Sequence, residues 1–249
     1  MKNIKFSVHF GLACCFIIIL MGCNQQKNND LWPIIDPLPL SIDIESQIDE
    51  MLPKLTLEQK VGQVIQGDSD SVTPEEVKEY RLGSVLSGGN SAPGPLPYAE
   101  TKNWLEMADK YYNASIDNEG VEIAIPIIWG IDAVHGHANL KGAIIFPHNI
   151  GLGAMNNPDL IEQIAGVTAH ELTISGHDWT FAPTLAVPRD LRWGRSYEGF
   201  SEDPDIVQSY GGRIVIGLQG KFGSDDFMSD GKVISSAKHF LADGATQNG

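Results

Sequence analysis

The chain has 249 residues, with 17 Lys and Arg against 32 Asp and Glu, a formal net charge of −15. A surface of that sign repels nucleic acid, whose binders carry a basic footprint, and leaves neutral or cationic partners open. Apolar residues form 42% of the sequence, which argues for a packed globular body and against a disordered one.

Residues 1–22 read as an export signal. Lys2 and Lys5 give a basic start, Phe10 to Met21 an apolar core, and Leu20-Met-Gly-Cys23 a short cleavage box. The apolar run is about twelve residues, too short for a membrane-spanning helix, which needs ~20. A cysteine directly after Gly22 matches the box of bacterial lipoprotein signals, so Cys23 is the expected lipid attachment site. The implied location is that of an exported bacterial lipoprotein, on the periplasmic or cell-surface side of a membrane. Removing residues 1–22 takes Lys2 and Lys5 and no acid, which moves the net charge to −17. Cys14, Cys15 and Cys23 are the only cysteines, so the body has no disulfide, thiol nucleophile or cysteine-ligated metal.

Residues 23–44 read as a flexible tether, polar at first and then proline-rich, without an apolar period. Thr56-x-x-Gln59 and Thr73-Pro74-x-Glu76 both fit a capping box, the second with proline at the first helical position. Further helices are expected over 98–114, 157–173 and 203–218, the last two opened by Asn157-Pro158 and Asp203-Pro204. Strands at 82–86, 123–131, 179–187 and 232–238 alternate with them. This order implies right-handed crossovers and a parallel sheet. A closed (β/α)8 barrel takes about 250 residues. Residues 45–249 are therefore expected to be the N-terminal portion of a TIM-like α/β barrel, truncated after about four strands. The runner-up is an open doubly wound sheet, but no glycine-rich turn links the first strand to a helix, so no dinucleotide cofactor is expected.

Each strand ends in a polar residue or cluster. Asp132 follows an apolar run, and a lone aspartate there is usually a turn or cap residue. Its company argues otherwise. The stretch Arg189 to Asp203 mixes Arg189, Arg192 and Arg195 with four acids around Trp193 and Tyr197, and Lys238-His239 closes the last strand. An unpaired lysine in that setting would be costly. Trp104, Trp129, Tyr111 and Tyr112 read as core and helix-face residues. Among the aromatic side chains weighed, stacking on a ligand ring is the alternative for Trp193 alone. The carboxyl ends of successive parallel strands are where a barrel keeps its active site.

The stretches Gly130-Ile-Asp-Ala-Val-His-Gly136, Phe146-Pro-His-Asn-Ile-Gly151, the arginine loop through Ser201-Glu-Asp203, and Lys238-His-Phe240 resemble glycoside hydrolase family 3. The resemblance spans about residues 45–249 and lies nearest the exo-acting β-glucosidase and β-glucan glucohydrolase branch. It implies an O-glycosyl hydrolase that removes terminal glucose from β-glucosides or β-glucans by a retaining mechanism. By resemblance, Asp132, Arg195, Lys238 and His239 hold the hydroxyls of the terminal glucose. Charge-assisted hydrogen bonds from such side chains suit sugar hydroxyls. Cleavage needs two more carboxylates, ~5 Å apart in a retaining enzyme. Neither family motif for them occurs in these 249 residues, so no catalytic residue is assigned and the missing C-terminal part is expected to complete the site.

Three other readings stand beside this one. A non-catalytic sugar-binding lipoprotein would keep the barrel as a capture module. A β-N-acetylhexosaminidase would carry a histidine in a Gly-His-Gly loop after Lys-His-Phe, which the run Lys238 to Thr246 lacks. A metal-dependent barrel hydrolase would use His135-Gly-His137, with His137 read here as a loop residue. Two imidazoles do not make a zinc site, which wants three protein ligands, so no metal is assigned.

Overall fold

The computed structural model describes residues 40–249, so the signal, Cys23 and most of the tether lie outside the described residues. Residues 48–249 form one compact unit. Helix α1 (Ile42–Met51) begins inside the stretch read as tether and buries none of its side chains. The capping boxes behave as the sequence implies. In α2 (Leu57–Gln63) the Thr56 hydroxyl accepts from Gln59 N and the Gln59 side chain accepts from Thr56 N. In α3 (Pro74–Tyr80) Thr73 and Glu76 do the same, with Pro74 in the first turn.

Five parallel strands pair in sequence order: β1 (Gln66–Asp68), β2 (Ser84–Ser87), β3 (Ile128–Ile131), β4 (Trp179–Thr180) and β5 (Ile234–Ser235). Between them run α4 (Thr101–Ile116), α5 (Asn149–Ala154), α6 (Pro158–Ile174) and α7 (Pro204–Gln219). These are consecutive units of a barrel and cover part of it. The sequence implies four strands and the structure has five. The extra one, β1, is only Gln-Gly-Asp, too short and polar to show an alternating apolar pattern. The ladders are also shorter than the apolar runs, and those of β3 and β4 lie inside Pro126 and Pro183, which lack the N–H a central strand must donate.

Trp104 on α4, Ile131 on β3, Leu172 on α6 and Leu218 on α7 meet in one core cluster between sheet and helices. Each such side chain taken fully from water contributes roughly 1.5–3 kcal/mol. Close approach fixes two glycines. A Cβ on Gly130 would stand 2.7 Å from the Phe181 ring, and one on Gly217 would stand 2.4 Å from the Glu162 carbonyl, where α7 crosses α6.

His137, read from sequence as a loop residue, is fully buried, as is Ser175, and His177 is nearly so. His137 Nε2 lies 3.0 Å from Ser175 Oγ, which lies 2.9 Å from His177 Nδ1. His177 Nε2 lies 3.0 Å from Ser87 Oγ, and Ser87 donates to the Gly130 carbonyl at 3.1 Å. Ser175 Oγ also lies 2.8 Å from the Leu172 carbonyl and 3.1 Å from the Glu171 carbonyl, so its one proton has three acceptors, and the contacts link the four side chains without imposing one proton direction.

Both imidazoles are neutral, since burial pushes His137 down to about 4 and His177 well below its ordinary value. Above the unfolded value near 6.5 neither state binds a proton, and these histidines leave stability unchanged. Below it the unfolded chain gains protons that the folded chain refuses, so stability should fall until His137 itself protonates near pH 4. The expected loss is about 1.3 kcal/mol per histidine between about pH 7.5 and about pH 5.5. Urea unfolding at the two pH values checks this, and an unchanged midpoint would contradict it.

Candidate functional site

Asp132 stands one residue beyond β3, where the Ala133 N–H donates to Thr180 Oγ1 at 3.2 Å. Lys238 is placed by pairing that resumes past the β4–β5 ladder. Its N–H donates to the Pro183 carbonyl at 2.9 Å, and its own carbonyl accepts from Leu185 N at 2.8 Å. The Lys238 ammonium, largely buried, makes an ion pair with the half-exposed Asp132 carboxylate. Residues 106 apart in sequence are thereby brought into contact.

Arg195 lies in the long loop between β4 and α7, just before a single 3-10 turn, Ser196–Glu198. Its Nε and Nη2 grip the two Glu198 oxygens at 2.7 and 2.6 Å, a bidentate geometry. The guanidinium holds the Glu198 carboxyl below its ordinary range. Arg195 Nη2 also lies 3.2 Å from His239 Nε2, and His239 Nδ1 lies 2.7 Å from Asp243 Oδ2. Arginine can only donate, so His239 Nε2 is the acceptor. The ring proton is then on Nδ1 and is donated to Asp243.

All four residues singled out from the sequence therefore make close contacts in two pairs, Asp132 with Lys238 and Arg195 with His239. Two partners escaped the sequence reading: Glu198 sits three residues after Arg195, and Asp243 four after His239. Their i+3 and i+4 spacing is the signal that could have flagged them. Lys238, His239 and Asp243 line a cleft of about 380 Å³ shared with Leu185, Val187 and Arg189. Each of the three carboxylates at the site is engaged by a cation or an N–H donor. The arrangement holds hydrogen-bond donors and acceptors in fixed directions.

His135 and His137 do not face a common point. His135 Nδ1 lies 2.9 Å from the Phe146 carbonyl, its ring 4.3 Å from that of His148, while His137 turns into the core. His148 is held below its ordinary value, first by burial and then by His135, and packs edge-on against Tyr197. Trp104, Trp129 and Tyr111 are buried as the sequence implies, and Tyr112 is exposed.

The glycosyl hydrolase family 3 N-terminal domain matches residues 56–249, and the chain belongs to this family. It is 32% identical over 214 residues to the lysosomal beta glucosidase of Dictyostelium discoideum, covering 78% of this chain and 25% of that protein. It is 36% identical over 127 residues to the periplasmic beta-glucosidase of Salmonella typhimurium, covering 51% of this chain and 15% of that one. The crystal structure of an exo-1,3/1,4-beta-glucanase from a Pseudoalteromonas species superposes with a TM-score of 0.81 at 48% identity, covering 85% of this chain and 26% of that chain. The chain thus spans about a quarter or less of the length of these relatives.

Asp243 should fix the His239 tautomer. Long-range proton–nitrogen NMR should find the wild-type ring protonated at Nδ1 alone, and Asp243→Ala should populate the Nε2–H form as well. An unchanged ring spectrum in that variant would remove Asp243 from this role.

Proposed function

We propose that Asp132, Arg195, Lys238 and His239 hold the hydroxyls of the terminal glucose of a β-glucoside or β-glucan, as the substrate-binding half of an exo-acting glycosidase. The observation that carries this reading is that Asp132 after β3, Arg195 after β4, and Lys238 and His239 after β5 form two contacting pairs in a family 3 chain. A retaining mechanism is part of the proposal, with nucleophile and acid/base supplied by a longer polypeptide, in keeping with relatives roughly three times this length. Residues 1–22 act as a lipoprotein signal, 23–44 as a tether, and 45–249 as the barrel portion. Export is supported by the signal-like sequence and by the periplasmic name of the Salmonella relative. In this reading the anchor is a lipid on Cys23, supported by the Leu20-Met-Gly-Cys23 box.

The chemistry follows from the side chains. The Asp132 carboxylate accepts from sugar hydroxyls, the Lys238 ammonium and Arg195 guanidinium donate, and His239 Nε2, which here accepts from Arg195, takes a sugar hydroxyl by exchanging that contact. Bonds to hydroxyls strengthen as the ring flattens toward an oxocarbenium-like transition state, so they lower the barrier as well as hold the substrate.

In the full-length protein, Asp132→Ala and Lys238→Ala should each reduce kcat/KM for an aryl β-glucoside by ~30- to 1000-fold, or about 2–4 kcal/mol. The loss of stability should be smaller than this, and larger for Asp132→Ala, which leaves a largely buried ammonium without its partner, than for Lys238→Ala. Near-wild-type rates in both variants would refute the clamp. Separately, Cys23→Ser should release the protein from membranes. Retention of that variant after a high-salt and carbonate wash would exclude lipid anchoring at Cys23.

A further inference from the structure

The carboxylate of Asp132 has one hydrogen bond among the described residues, from Lys238, and is half exposed. No neutral side chain aims it. Its direction is therefore set by Lys238 and by the backbone on either side, and the buried polar chain described above grips that backbone at both ends. Ser87 Oγ holds the carbonyl of Gly130, two residues before Asp132. The side chain of His137, five residues after, is held by Ser175 at the C-cap of α6. His177 and Ser175 join the two grips through the core, and Trp104 packs its ring 5.8 Å from His137 and 5.0 Å from His177. The Trp104 indole N–H also donates to the Asn139 carbonyl at 3.0 Å, further along the same segment.

Stability alone gives little reason for such a chain. Replacing both partners of a buried hydrogen bond by apolar groups of similar shape can be nearly neutral or stabilising. Here four polar side chains are buried together, and His137 Nδ1 is left without a partner. A connected run of hydrogen bonds has directional geometry that apolar packing lacks, and it favours one relative placement of β2, β3 and the end of α6. We propose that the buried run His137–Ser175–His177–Ser87 is a positioning device for Asp132, which makes Ser87, Ser175 and His177 positioning residues for sugar recognition. The proposal rests on the role given to Asp132 above.

A double-mutant cycle in the full-length protein tests it. Ser87→Ala should lower kcat/KM for an aryl β-glucoside by ~5- to 20-fold. The same change made on Asp132→Ala should cost less than about 2-fold, because the group being aimed is gone. Ser175→Ala, which cuts the chain outside the strands, should repeat the pattern, with melting temperatures recorded for every variant. Equal losses in both backgrounds, or lowered melting temperatures with unchanged rates, would make the chain merely structural and overturn the proposal. If Ser87→Ala fails to fold, Ser175→Ala decides alone by the same comparison. An Asp132→Ala variant with wild-type rates would overturn the clamp reading and this proposal together. A damaging Asp132→Ala with additive Ser87→Ala overturns this proposal only.

Discussion

Parallel pairing in sequence order is the constraint on which the site depends. When each strand lies beside the next and all run the same way, their carboxyl ends share one rim however far apart they are in sequence. Asp132 and Lys238 meet because β3 and β5 flank β4, and because pairing resumes at Pro183 and Leu185 to carry the chain as far as Lys238. The small residues follow from the same constraint. Gly130 leaves room inside the sheet for Phe181, and Gly217 lets α7 close on α6 so that the sheet is covered.

Charge at the rim is arranged in pairs. A chain of net charge −15 has few cations to spare, yet Lys238 and Arg195 both stand at this rim, each against a carboxylate. Pairing keeps a largely buried ammonium tolerable without a ligand. It also makes the ligand's task an exchange. In the proposed clamp, a hydroxyl inserted beside Lys238 and Asp132 would replace part of an existing contact, so the net gain would depend on how well the pair is already aimed. Preorganisation by the surrounding fold therefore matters more here than the number of charges. In the proposed reading, the neutral chain beneath β2 and β3 and the Asp243 bond to His239 both act on aim and not on charge.

Much of this was legible in the sequence where the signal was local. Both capping boxes, the Asn157 and Asp203 caps and the alternation of strand and helix depend on neighbours a few residues away, and they appear where the sequence puts them. Asp132, Arg195, Lys238 and His239 were readable because each ends or follows an apolar run in charged company. What failed was of two kinds. β1 is held by pairing with β2 and by nothing in its own Gln-Gly-Asp sequence. His137 sits in a segment rich in small and polar residues that reads as loop, but tertiary contacts with Ser175, His177 and Trp104 bury it.

The same distinction separates the two sets of histidines. His135 and His148 stack near the arginine loop, where position in sequence and position in space nearly coincide. His137 and His177 are 40 residues apart in the chain and meet edge to face at 5.1 Å only because α6 returns the chain to the sheet. The spacing His-x-His invited a metal reading because it placed two imidazoles on one loop. The fold divides them, one ring to the rim and one to the core. A motif whose two members end in different environments cannot act as one chelating unit, whereas a chain of hydrogen bonds can cross from helix to strand and link residues no spacing rule would join. Coupling of that kind arises in the packing, and it is the level at which this site is set.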